Sequence, residues 1–96
     1  MEFEWDEDKN QQNIDKHGVD FADARRIFDG FTLDAMDDRF DYGELREISI
    51  GLLDGVAVLT VTHTDRQGTC RIISARPAIK SERKRYDEAL RKSFDG

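Results

Sequence analysis

Apolar residues recur along this chain in three different periods, and each period marks an element. Glu2-Phe3-Glu4-Trp5 alternates polar and apolar, which suits a short strand with one buried face. Asp6 then reads as an N-cap, with Glu7 and Asp8 in a first turn where the helix dipole favours negative charge. The helix runs to Lys16 or His17 and stops at Gly18 as a left-handed C-cap. Its apolar content is thin. Asn10, Asn13, Ile14 and His17 share one face, so that face either meets water or lines a polar site. Asp20 starts a second helix with the stripe Phe21, Ala24, Ile27, Phe28, closed by Gly30. The two helices, joined by His17-Gly18-Val19, are expected as a helical hairpin.

The middle of the chain changes to period two. Phe31-Thr32-Leu33 is a brief strand, and the acidic stretch Asp34 to Gly43 reads as a loop. Arg46 to Leu52 sets Ile48, Ile50 and Leu52 on one face. Asp54-Gly55 signals a tight turn, and Val56 to His63 is apolar enough for a central strand covered on both sides. After a turn at Asp65 to Gly68, Arg71 to Arg76 forms the last strand, with Ile73 and Ala75 on one face and Ile72 and Ser74 on the other. Consecutive hairpins make this an antiparallel meander. Past Pro77, Ser81 is the expected N-cap of a final helix. A reciprocal capping box is not expected there, because Lys84 stands at its third position. Tyr86, Ala89, Leu90 and Phe94 are its stripe against the sheet. The expectation is one α+β domain over residues 1–96.

Charge adds the functional clue. The net charge is −6, but residues 1–44 hold 14 acidic and 5 basic residues, whereas residues 45–96 hold 7 and 10. A chain so divided can turn a basic face to phosphate and an acidic one elsewhere. No apolar run is long enough to span a membrane, the acidic start is unlike a signal peptide, and a single cysteine, Cys70, has no disulfide partner within the chain. These features point to a cytoplasmic protein. Cys70, His17 and His63 lack metal-ligand spacing, and Asp34, Asp37, Asp38 and Asp41 lack the glycine and closing glutamate of a calcium loop, so no metal or cofactor is expected.

The remaining polar residues suit metal-free RNA cleavage if they converge on one sheet face: Lys16, His17, Arg46, His63, Arg66, Arg71, Arg76, Arg83 and Tyr86. A general base takes the 2′-OH proton, cations stabilise the phosphorane, and an acid protonates the leaving 5′-oxygen. Each residue also has a structural use. His17 can cap a helix, His63 and Cys70 can be strand residues, Tyr86 can belong to the core, and Arg83 and Lys84 can be solvated.

Three segments carry a family resemblance: WDEDKNQQNIDKHGVDF (Trp5 to Phe21), YGELREISIG (Tyr42 to Gly51) and HTDRQGTCRIISARPAIKSERKRYDE (His63 to Glu88). Together they resemble the BrnT toxins of bacterial type II toxin–antitoxin pairs. The resemblance implies a RelE-like fold, a ribonuclease that halts translation, and neutralisation by a BrnA-type antitoxin with a ribbon-helix-helix domain. The toxin would meet operator DNA only through that antitoxin. The family's polar positions fall on Lys16, His17, Arg46, His63, Arg66, Arg76, Arg83 and Tyr86, while Leu45 stands where many relatives carry a polar residue. The working assignment gives His17, His63, Arg76, Arg83 and Tyr86 to catalysis. Lys16, Arg46, Arg66, Arg71 and Lys84 are given to RNA binding. Two other readings are a catalytically idle antitoxin-binding co-repressor and a small nucleic-acid-binding domain. Net acidity and the lack of an aromatic stacking stripe count against the latter.

Overall fold

The computed structural model describes residues 1–37 and 44–95. It is an α+β domain built on one five-stranded sheet. In chain order the elements are strand β1 (Glu2–Glu4), helix α1 (Glu7–His17), helix α2 (Phe21–Ala24) running into a 3₁₀ segment Arg25–Asp29, strands β2 (Thr32–Asp37), β3 (Arg46–Leu53), β4 (Ala57–Arg66) and β5 (Thr69–Pro77), and helix α3 (Lys80–Asp95). The strand order is β1-β5-β4-β3-β2. The β2–β5 meander is antiparallel, as the hairpin signals require, but β1 returns to pair in parallel with β5. The sheet is therefore mixed.

The N-terminal signals act as the sequence suggests. Asp6 accepts hydrogen bonds from the Asp8 and Lys9 N–H groups, and Gly18 closes α1 with φ 72° and its N–H on Ile14 O. Asp20 caps α2 through the Ala22 N–H. α1 and α2 are joined by polar bonds: the Asn10 amide donates to Asp20 Oδ1, and its oxygen accepts the Phe21 N–H. Both helices pack on the same sheet. Val19, Phe21, Ala24 and Ile27 meet Leu59, Val61, Ile72 and Ala75 in the main core, and Phe3, Trp5, Phe28 and Leu53 border it. Gly51 lets Ile27 approach, because a Cβ there would lie 2.8 Å from the Ile27 Cβ. Any side chain at this position would push the 3₁₀ segment off the sheet.

Four local expectations are corrected. Asp34–Asp37 is strand rather than loop, since β2 pairs β3 without interruption from Thr32 opposite Gly51 to Asp37 opposite Arg46. The rest of the expected loop, with Asp38 and Asp41, lies outside the described residues. In β5 the alternation breaks. Ser74 faces Thr62 but Ile72 faces His63, so Ile73 is an extra residue and Ile72 and Ala75 both enter the core. Lys80, not Ser81, begins α3 within its helical span; the N–H of Ile79 is taken by the Glu82 carboxylate at 2.9 Å, one half of a capping box. Finally, the packed stripe of α3 takes in Tyr86, Ala89 and Leu90 but not Phe94. Tyr86 is buried, but Phe94 is 81% exposed where the helix runs past the sheet.

Candidate functional site

Strand pairing decides which side chains share a face, because cross-strand partners point the same way. Arg76 is opposite Thr60, Ser74 opposite Thr62, and Arg71 opposite Thr64; Arg66 follows Thr64 at a spacing of two. Arg46 lies one residue before the Glu47–His63 pair, so it shares the face of Thr64. Four arginines thus stand on one face, the one where Glu82 of α3 reaches Thr60. His63 stands on the other face, next to the core. The structure divides the expected convergence: Arg46, Arg66, Arg71 and Arg76 come together, and His63 does not join them.

His63 is engaged where it sits. Its ring is edge-on to Phe28 at 5.1 Å, and its Nε2 lies 2.7 Å from Ser49 Oγ. Ser49 gives its single proton to Asp34 Oδ1 at 2.6 Å, so His63 Nε2–H is the donor to Ser49. A chain of polar groups, exposed at Asp34 and buried at Ser49 and His63, crosses three strands and lines a cavity of about 470 Å³. Desolvation lowers the His63 pKa below 6.5, outweighing the opposing charges of Glu47 and Asp34. The ring is therefore neutral at pH 7. Cys70 lines the same cavity, and burial pushes its thiol up to about 11, so it is not a thiolate.

Lys16 and His17 end α1 beside the outer edge of β5. With Lys9, Gln12 and Asn13 they line a cleft against Ile73 and Ser74. Ser74 belongs to the arginine face, two residues before Arg76, so the helix end and the strand end meet. What fixes them together is Asn13. Its amide nitrogen donates to Val19 O and Ala75 O, both at 2.8 Å, and its oxygen accepts the Ala75 N–H at 3.2 Å. Asn13 thus takes over the edge of β5 where β1 has ended, acting as a one-residue strand partner. Its polar helical position was visible in the sequence, but its partner 62 residues away was not.

The arginines differ in how they are held. Arg71 is 3.8 Å from Glu4, Arg66 3.6 Å and Arg46 3.9 Å from Glu44. The long, partly solvated pairs of Arg66 and Arg71 contribute little and can give way to a phosphate, whereas Arg46 is only 19% exposed. Arg76 makes a bidentate pair with Glu82, Nη1–Oε1 2.8 Å and Nη2–Oε2 3.0 Å. Glu82 also accepts from Thr60 Oγ1 at 3.1 Å and from the Ile79 N–H. The Arg76 hydrogen bonds, with smaller help from Ile79, Thr60 and the Arg76 charge, outweigh desolvation and hold the Glu82 carboxyl at about 2, well below 4.5. Glu82 was not a sequence candidate. Its one signal was its place six residues after Arg76, in the first turn of a helix.

The sign of that shift gives a pH prediction. Glu82's pKa is depressed on folding, so its contribution is complete above 4.5 and is lost as pH falls towards about 2. The shift is equivalent to at most about 3 kcal/mol, and solvent at Arg76 reduces it. Unfolding free energy measured from pH 5 down to pH 2 should fall more steeply in the native chain than in Glu82→Gln.

α3 carries the remaining candidates. Arg83 and Lys84 are exposed and line a shallow groove with Lys80, Asp87, Glu88 and Arg91. Tyr86 points inward instead. Its hydroxyl donates to Phe31 O at 3.0 Å, and burial raises its pKa. Among the described residues no group of three His, Cys, Asp or Glu side chains is placed to hold a metal ion, and no helix is long and apolar enough to cross a membrane.

The family model described as "Ribonuclease toxin, BrnT, of type II toxin-antitoxin system" matches residues 5–82. The chain belongs to the BrnT family. The crystal structure of the Brucella abortus ribonuclease toxin BrnT is similar to it, with a TM-score of 0.64 and 30% sequence identity over 83% of this chain and 99% of that one. A search of curated proteins found no match. As a BrnT-family member the chain is a ribonuclease toxin of a type II toxin–antitoxin system, which implies an antitoxin partner. The matched segment runs from Trp5, before α1, to Glu82. It includes Lys16, His17, Arg46, Arg66, Arg71 and Arg76, and leaves Arg83, Lys84 and Tyr86 beyond it.

Proposed function

We propose that this BrnT-family toxin is a RelE-like, metal-independent endoribonuclease that cleaves RNA by 2′-OH attack and so inhibits translation. The observation that carries the reading is the meeting of the α1 end, Lys16 and His17, with the arginine face of β5 at Ser74. Arg46, Arg66 and Arg71 bind the RNA backbone, and Arg76 stabilises charge growing on the phosphorane. His17 moves the proton, because it borders the arginine face while His63 is neutral and bonded to Ser49 on the other side. Lys16, Arg83 and Lys84 extend the positive field along the RNA. Tyr86 holds α3 against β2 and takes no part in proton transfer. A BrnA-type antitoxin with a ribbon-helix-helix domain covers the same face and carries the complex to its operator DNA.

The test is expression in a bacterial host together with cleavage of purified RNA in the presence of a chelator. Native protein should arrest growth and cut RNA. His17→Ala should fold and cut at least about a hundredfold more slowly, as expected when a general acid or base is removed. Unimpaired cleavage by His17→Ala would move the proton transfer elsewhere. A native chain that leaves RNA intact would be a co-repressor rather than an enzyme.

A further inference from the structure

The tight Arg76–Glu82 pair poses a question that the proposed ribonuclease reading leaves open. A carboxylate beside a phosphate-binding arginine opposes the phosphate by charge. If the face only needed positive potential, Glu82 would weaken it, and a long solvated pair like those of Arg66 and Arg71 would serve better. Glu82 is instead firmly held. Its side chain is 15% exposed, and it receives Arg76 through both Nη atoms, the Thr60 hydroxyl and the Ile79 N–H.

Those four contacts come from three places: strand β4, strand β5 and the start of α3. Thr60 and Arg76 are direct cross-strand partners. Ile79 fixes where α3 begins. Glu82 is therefore located by the sheet and the helix before it meets Arg76. A guanidinium is planar, so two parallel bonds to one carboxylate fix its plane and its rotation. That orientation sets the directions of the other N–H donors. Arg76 is 38% exposed, and its Nη1 bond to Pro77 O, at 3.4 Å, is longer than either bond to Glu82.

We propose that Glu82 is a positioning residue for RNA cleavage, orienting the Arg76 guanidinium towards the reacting phosphate, with Thr60 and the α3 N-terminus fixing Glu82 in turn. The proposal rests on the reading of Arg76 as a transition-state cation. It separates two demands that a field of arginines alone would mix. Arg66 and Arg71 supply affinity through long, replaceable ion pairs. Arg76 gives up part of its net charge and gains a fixed direction.

The experiment uses the full chain with single-turnover cleavage of a mixed-sequence single-stranded RNA at saturating protein. It compares the native protein, Glu82→Gln, Arg76→Ala, the double variant and Thr60→Val. RNA affinity is measured across a salt series, and thermal unfolding confirms folding. Glu82→Gln keeps the shape and loses the charge; its saturated rate should fall about ten- to a hundredfold, the range set by loss of reactive geometry. Its RNA affinity should not fall. The log–log salt slope should steepen by about 0.7, one added phosphate contact on a single strand. The double variant should be no slower than Arg76→Ala. Thr60→Val leaves the ion pair in place and should show a smaller rate loss of the same kind.

A merely structural role would change the folded fraction and leave the salt slope alone. Glu82→Gln cleaving at the native rate, or rate losses that multiply in the double variant, would overturn the proposal while leaving Arg76 in the site. Native cleavage by Arg76→Ala would overturn both the site reading and this inference. If Glu82→Gln fails to fold, Thr60→Val decides: a native rate counts against the proposal, and a slower rate with unchanged affinity supports it.

Discussion

Asn13→Ala should be among the most destabilising single substitutions in this chain, costing about 2–4 kcal/mol. The side chain is 7% exposed and makes three bonds to backbone groups at two distant places, Val19 and Ala75. Removing it leaves two carbonyls and one N–H short of a partner. A buried group left unsatisfied costs about 1–3 kcal/mol, more than the net gain from making the bond. Water reaching the opened edge of β5 recovers part of this. For a domain of this size the loss lowers the melting temperature by roughly 10–20 °C. Asn13→Asp is the sharper probe, because its carboxylate accepts the Ala75 N–H but has no proton for Val19 O or Ala75 O. It should be nearly as unstable as alanine at pH 7. Denaturant unfolding of both variants checks this, and a loss under 1 kcal/mol in Asn13→Ala would show that the edge is satisfied without it.

That dependence explains which parts of the molecule were legible in the sequence. Asp6, Gly18 and Asp20 signal locally: a cap needs only its neighbours, and all three cap as read. The turns at Asp54-Gly55 and Gln67-Gly68 need positive φ and have it. The Phe21, Ala24, Ile27 stripe found its core because helical periodicity reports a face. What failed to show was non-local. Period two tells which residues of a strand share a face, but not which residue of the next strand joins them. His63 and Arg76 could therefore be placed together on paper although the pairing separates them. The bulge at Ile73 moved Ile72 into the core with no glycine or proline to announce it. The parallel return of β1 and the length of β2 depended on partners elsewhere in the chain. In the candidate site, charge and spacing picked out the arginines. The residues that hold them, Asn13 and Glu82, resembled an ordinary polar helix face and an ordinary first-turn acid.

Both of those residues converge on the end of β5. Asn13 binds Ala75 from α1, and Glu82 binds Arg76, the next residue, from α3. The end of β5 is thus gripped from the edge by one helix and from the face by another. These two contacts fix the main chain and the charged side chain of adjacent residues. Flexibility introduced at either should show in chemistry before it shows in RNA binding, since the more loosely paired Arg66 and Arg71 lie further down the sheet.

The largest activity loss is expected for Arg76→Ala, about a hundred- to a thousandfold in the saturated cleavage rate, the cost of deleting one preorganised charge-stabilising donor. The fold should survive. Arg76 is half-exposed, and Glu82 keeps its bonds to Thr60 and Ile79. Without the guanidinium the chief cause of its low pKa disappears, so Glu82 should titrate nearer 4.5 and the stability loss between pH 4.5 and about 2 should shrink. Arg76→Lys separates charge from direction. Lysine is a point charge with no planar fork, so it can restore attraction to RNA but cannot hold two parallel bonds to Glu82. Its RNA affinity should be close to native while its rate stays nearer that of alanine. Growth of a host expressing each variant gives the cellular measure: arrest should be relieved by alanine and largely relieved by lysine. Native cleavage in Arg76→Lys would mean that charge at this position suffices and the fixed fork is dispensable.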